Sequence, residues 1–110
     1  MASFRIIQNA PGAADVTSVA LKVPPGSSKC YFEFWWSDSV ADISGPLYVQ
    51  ASNGGGTWAN IETVANPPAG GGAGNTFSNI YELASKYVRV FFDRSAGDAN
   101  ALLNCIVNFS

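Results

Sequence analysis

Eight carboxylates are the groups with which this chain could perform acid–base chemistry: Asp15, Glu33, Asp38, Asp42, Glu62, Glu82, Asp93 and Asp98. A glycosidase needs two of them facing each other across a bond. Any two could be paired on paper, and no spacing singles out a pair. The chain has no histidine, which removes the usual general base at neutral pH and the commonest metal ligand. Its two cysteines, without histidine, do not complete a zinc site. Asp93 and Asp98 with neighbouring carbonyls offer oxygen ligands for calcium, but their spacing matches no known loop pattern. The glycine runs lie outside any strand–helix context, so they are not phosphate cradles. The reading is a protein that is not an enzyme and takes no cofactor.

The remaining candidates are aromatic. Tyr31, Trp35, Tyr48 and Phe91 fall on the polar side of alternating stretches and are read as partner-binding residues. Exposed rings on a β-sandwich can stack on sugars, pack on another subunit, or lie under the protein's own loops. A second candidate is the low-complexity segment 65–75, with Pro67, Pro68, Gly70, Gly71 and Gly72. It is expected to be a flexible loop, read either as mobile surface or as an interaction loop that orders on assembly.

These side chains need strands to position them. Lys29 to Ser37 alternates, with Cys30, Phe32, Phe34 and Trp36 on one face and Tyr31, Glu33 and Trp35 on the other. Leu47, Val49 and Ala51 share a face opposite Tyr48 and Gln50. Asn53-Gly54-Gly55-Gly56 then supplies a hairpin turn. Thr57 to Val64 follows, with Trp58 and Ile61 as expected core residues whose three-residue spacing suggests a bulge. Phe4 to Gln8 is a short first strand, ended by a turn at Asn9-Ala-Pro-Gly12. Val16 to Val23 puts Val19, Leu21 and Val23 on one face, Ser18 and Lys22 on the other; Pro24-Pro25-Gly26 ends it. Thr76 to Leu83 is a further strand or turn. The most apolar region, Lys86 to Phe109, reads as a hairpin: Val88, Val90 and Phe92 face inward, Arg89 and Asp93 outward. On its return Leu103, Cys105, Val107 and Phe109 face inward, Asn104 and Asn108 outward. Seven to eight strands with turns about every eight to twelve residues predict an all-β fold, an antiparallel two-sheet β-sandwich of jelly-roll or immunoglobulin-like type, in a single domain over 1–110.

Composition narrows the partners. Six basic and eight acidic residues give a net charge of −2, without a cationic cluster, so nucleic acid is not an expected partner. Low charge leaves a surface of small polar and aromatic residues, suited to lying against other protein. No apolar run reaches the length of a membrane span, and no secretory signal is read at the N-terminus; synthesis in a cytoplasm is expected. Cys30 and Cys105 lie on inward faces. A disulfide between them is one reading, and two buried free thiols is the preferred one.

Two segments resemble a known family. Tyr48-Val-Gln-Ala-Ser-Asn-Gly-Gly-Gly-Thr-Trp58 resembles a strand–turn–strand unit ending in Trp, and Lys86 to Val107 resembles a recurrent C-terminal pattern built on Tyr-Val-Arg-Val. Both are similar to small β-sandwich structural proteins of tailed bacteriophages and, more distantly, to discoidin-type carbohydrate-binding domains. Asp98 departs from the pattern, where Gly or Thr is usual, and the aromatic strand 29–37 lies outside it. The resemblance implies a virion protein, foremost a capsid decoration (cement) protein binding the head lattice as a homo-oligomer. Its partners would be capsid or other virion proteins. The alternative is a carbohydrate-binding module, or a neck, tail or fibre accessory domain contacting host glycans.

Overall fold

The computed structural model describes residues 2–37, 43–44, 46–54, 56–64, 75–82, 85–97 and 101–110. Within them the strands are β1 (Ala2–Pro11), β2 (Val16–Thr17), β3 (Leu21–Lys22), β4 (Lys29–Ser37), β5 (Ile43–Ser44), β6 (Leu47–Ser52), β7 (Ala59–Val64), β8 (Asn75–Glu82), β9 (Tyr87–Phe92), β10 (Ala96–Gly97) and β11 (Leu102–Phe109). One antiparallel sheet, four-stranded, runs β1-β11-β4-β8. The other, five-stranded when β2 and β3 are counted separately, runs β2-β9-β6-β7, with β3 also beside β9. β5 and β10 form a separate two-residue ladder. Counting β2 and β3 as one interrupted edge strand, the two main sheets hold eight strands, and the described residues contain no helix. This is the expected all-β sandwich.

Alternation builds the core. Cys30, Phe32, Phe34 and Trp36 of β4 and Leu103, Cys105, Val107 and Phe109 of β11 are buried from one sheet. Leu47, Val49 and Ala51 of β6 and Val88, Val90 and Phe92 of β9 are buried from the other. Each residue set recurs at every second position, so one face of each strand is dry and the other is left for solvent or a partner. The Trp36 and Phe92 rings meet edge to face across the core, with centroids 5.1 Å apart.

The hairpin expected over 86–109 does not form. β9 pairs with β6, β2 and β3, whereas β11 pairs with β1 and β4. The apolar faces are as expected, but they look at each other across the core instead of lying side by side. Alternation identifies a buried face and is silent about which neighbour supplies the hydrogen bonds. The crossing between sheets is fastened at its ends: Asp93 N–H donates to the Pro46 carbonyl, Gly12 N–H to the Ala101 carbonyl, and Arg94 N–H to Asp15 Oδ1. Asp15 is thereby a structural acceptor.

Three other expectations change. β1 does not end in a turn at Asn9; it continues to Pro11 through two register shifts, with Asn9 in the left-handed region at φ 49°. The first shift lets Ile6 and Ile7 both be buried. Val16 to Val23 is not one alternating strand, because the register on β9 slips by one residue between β2 and β3. Ser18 is buried and Val19 is 59% exposed as a result. Finally, the expected bulge in β7 is present where Gln50 pairs with Asn60 and Val49 with Glu62, but Trp58 and Ile61 are not core. Ile61 is the extra residue and is exposed, and Trp58 lies half-buried on the outside.

Candidate functional site: the two outer faces of the sandwich

On the four-stranded sheet, cross-strand neighbours place Tyr31 beside Asn108, Glu33 beside Ile106 and Trp35 beside Asn104, with Arg5 beside Ile106 on the other side. Tyr31 and Trp35 are half-buried, as expected for an outward face. Trp35 is not an open ring, because the Arg5 guanidinium lies 5.2 Å from its centroid. Arg5 Nη1 also donates to Asn104 Oδ1 at 3.5 Å, and the same oxygen accepts the Asn9 N–H at 3.0 Å. Asn104 was expected on the solvent side; it is on that face but only 2% exposed. The irregular β1 folds over it, and its amide supplies the hydrogen bonds that the distorted ladder lacks.

The outer face of the five-stranded sheet is organised in rows. Register places Phe91 opposite Tyr48 and Arg89 opposite Gln50, and across the hairpin Gln50 opposite Asn60. The Tyr48 and Phe91 rings lie nearly parallel, 11° apart, with centroids separated by 6.1 Å. In the next row Arg89 Nε donates to Gln50 Oε1 at 2.7 Å, and Gln50 Nε2 donates to Asn60 Oδ1 at 2.9 Å. The Arg89 guanidinium sits 4.3 Å from the centre of the Trp58 ring. That cation–π contact is worth about 0.5–1 kcal/mol at an exposed site. It fixes the guanidinium more than it stabilises the fold.

The four candidate aromatics therefore divide between opposite sides of the molecule: Tyr48 with Phe91 on one outer face, Tyr31 with Trp35 on the other. Pro67, Pro68, Gly70, Gly71 and Gly72 lie outside the described residues, as does Asp98 of the weighed calcium pair. Arg89, Gln50, Asn60 and Trp58 were missed as site residues. The signal for Gln50 and Arg89 was available, since each lies two positions from an aromatic on the same face. Alternation alone puts Trp58 in the core, because it takes no account of the bulge that sets the rest of the strand out of phase.

Cys30 and Cys105 are free and buried. Cys30 pairs with Phe109 and Cys105 with Phe34, so the two are four positions apart along adjacent strands, about 13 Å, far beyond disulfide reach. Burial pushes the Cys30 thiol up to about 12. Burial, and then the negative charge of Glu33, holds the Cys105 thiol well above its ordinary value. Both are packing residues, as preferred. Among the described residues no three His, Cys, Asp or Glu side chains converge on one point. An open cleft of about 470 Å³ lies where the β6–β7 hairpin meets the end of β8, and among the described residues Glu82 is its one ionisable lining residue.

Neither a protein-family model nor a curated protein matches the chain. Solved structures do. The exported protein XepA of PBSX superposes with a TM-score of 0.67 at 11% identity, over 99% of this chain and 37% of XepA. The SPBc2 prophage-derived protein YomS gives 0.55 at 13% identity, over 99% of this chain and 92% of its own. Chitosan-binding module 1 of a Paenibacillus sp. IK-5 chitosanase/glucanase gives 0.50 at 20% identity, over 96% of this chain and 75% of that one. The chain thus spans about a third of XepA. These similarities establish the fold, and the fold is shared with phage-derived proteins and with a carbohydrate-binding module, the two groups that the sequence resembles.

Proposed function

We propose that this chain is a non-enzymatic structural subunit of a phage particle, a capsid decoration domain that seats on the head lattice as an oligomer through the outer face of its four-stranded sheet. The observation that carries the reading is the composition of that face. Tyr31, Ile106 and the Arg5-capped Trp35 make a half-buried, largely apolar strip with Glu33 among them. It is set on rigid central strands, where a lattice contact needs little ordering on binding. The fold shared with phage-derived proteins supports the particle context. The test is retention. Purified chain is mixed with particles lacking it, sedimented and quantified, beside Tyr31→Glu and Ile106→Glu variants. Wild-type chain should pellet with particles and the charged variants should stay in the supernatant. A wild-type chain that never co-sediments overturns the proposal.

A second reading, a glycan-contacting accessory domain, is favoured by the opposite face. There an aromatic pair stands beside a hydrogen-bonded Arg89–Gln50–Asn60 row. The two readings are compatible, because the faces point in opposite directions.

A further inference from the structure

Hydrogen-bond direction on the outer face of the five-stranded sheet is fixed by its cation. Arg89 can only donate, so its bond to Gln50 turns the Gln50 amide oxygen toward it and the amide NH₂ toward Asn60. Asn60 then accepts with its oxygen and turns its own NH₂ away from Gln50. Among the described residues Arg89 hydrogen-bonds through Nε alone, which leaves its two terminal nitrogens without a hydrogen-bond partner there. No carboxylate among those residues pairs with the guanidinium either. The row therefore holds oriented donors in excess and a positive charge already pinned against Trp58. A fixed guanidinium fork with open donors matches a carboxylate. Its immobilisation, which would otherwise oppose binding, has already been met within the fold.

The neighbouring row makes the ligand more specific. Tyr48 and Phe91 lie two residues from Gln50 and Arg89 along β6 and β9, a step of about 6.8 Å on one face. That is the length of one sugar ring, so a ligand whose carboxylate is held at Arg89 can lay the ring that bears it against the aromatic pair. A uronic acid places a flat ring with apolar C–H faces directly beside its carboxylate, with hydroxyls for the Asn60 amide and the Tyr48 hydroxyl. An acidic peptide carries its carboxylate on a flexible stem and presents no such rigid face. We infer that the outer face of the five-stranded sheet binds carboxylated glycans, with Arg89 taking the carboxylate, Tyr48 and Phe91 the sugar ring, and Gln50 and Trp58 positioning Arg89. This rests on the glycan-contacting reading and deepens it.

The test is binding of trigalacturonate, followed by amide chemical-shift changes and calorimetry, against neutral trigalactose and triglutamate. Wild-type chain should bind trigalacturonate, with shifts confined to β6, β7 and β9, and bind the other two at least about tenfold more weakly. Arg89→Gln should weaken binding by about ten- to a hundredfold, the loss of a charged hydrogen-bonded contact. Phe91→Ala should weaken it while leaving the preference for acidic sugar. Lys29→Gln, which removes an exposed charge from the other sheet, should bind as wild type. Absence of trigalacturonate binding at millimolar concentration, equal binding by a folded Arg89→Gln, or tighter binding of triglutamate overturns the inference. Neutral trigalactose binding as well as the acid, with shifts on the same strands, overturns the carboxylate assignment and keeps the glycan reading. Co-sedimentation with particles depends on the other sheet and reports separately.

Discussion

Ser18 shows how much one hydroxyl can hold. It is buried, accepts the Val90 N–H at 2.8 Å and donates to the Val19 carbonyl at 3.0 Å. Its hydroxyl replaces the carbonyl that a regular ladder would have offered where β2 gives way to β3. Ser18→Ala leaves the amide of fully buried Val90 without a partner, and should cost about 1–3 kcal/mol in urea denaturation; Ser18→Thr should recover most of it. The thiols give a second expectation. Their folded pKa values lie above the ordinary 9.0, so in alkali the unfolded chain loses these protons first. The unfolded state then binds fewer protons, and stability falls as pH rises above about 9, by up to about 1.4 kcal/mol per pH unit for each thiol. For Cys30 the loss runs on to about 12. Denaturation midpoints across this range should slope downward, and less steeply in a Cys30→Ala variant. An unchanged slope would contradict the assigned burial.

At the scale of the element, turns and bulges decide which residues face the ligand. The Ser27 N–H donates to the Pro24 carbonyl at 3.1 Å, with Gly26 between them at φ 83°. This is a type II turn, with Pro25 at its second position and glycine at its third. Open space surrounds the missing Cβ, so Gly26→Ala should cost only the backbone term, about 1 kcal/mol. A measured loss well above that would mean the turn is coupled to the core. The β7 bulge has a different effect. It lets Asn60 stand beside Gln50 while Ile61 drops out of register, which completes the polar row. The sequence hinted at this bulge through the spacing of Trp58 and Ile61, but not at its consequence. Period-two counting assumes an unbroken ladder, and a one-residue slip reverses every later assignment.

Across the whole molecule, the buried faces of β4, β6, β9 and β11 were legible because each is a clean alternation of large apolar residues. The partnership of strands was not. Pairing depends on which ladder edges meet after collapse, and a chain whose strands all have one apolar face satisfies several arrangements by pattern alone. The faces of Arg89 and Gln50 are legible in the same way, but their meeting with Asn60 is not, since the three come from three strands and are joined only through register. Almost every pairing is distant in sequence; Ala2 meets Phe109. Refolding should accordingly be slow for a domain of this size, in the millisecond-to-second range by stopped-flow tryptophan fluorescence. Microsecond refolding would be incompatible with this topology.

One arrangement bears on how the domain is made in a cell. β11, the final strand of the domain, lies between β1 and β4. A ribosome must therefore release the last eight-residue strand before the first strand has anything to pair with. Until then Ile6 and Ile7 have no ladder to hold them against the core, and β1 is the last strand of its sheet to be fixed although it is the first to be made.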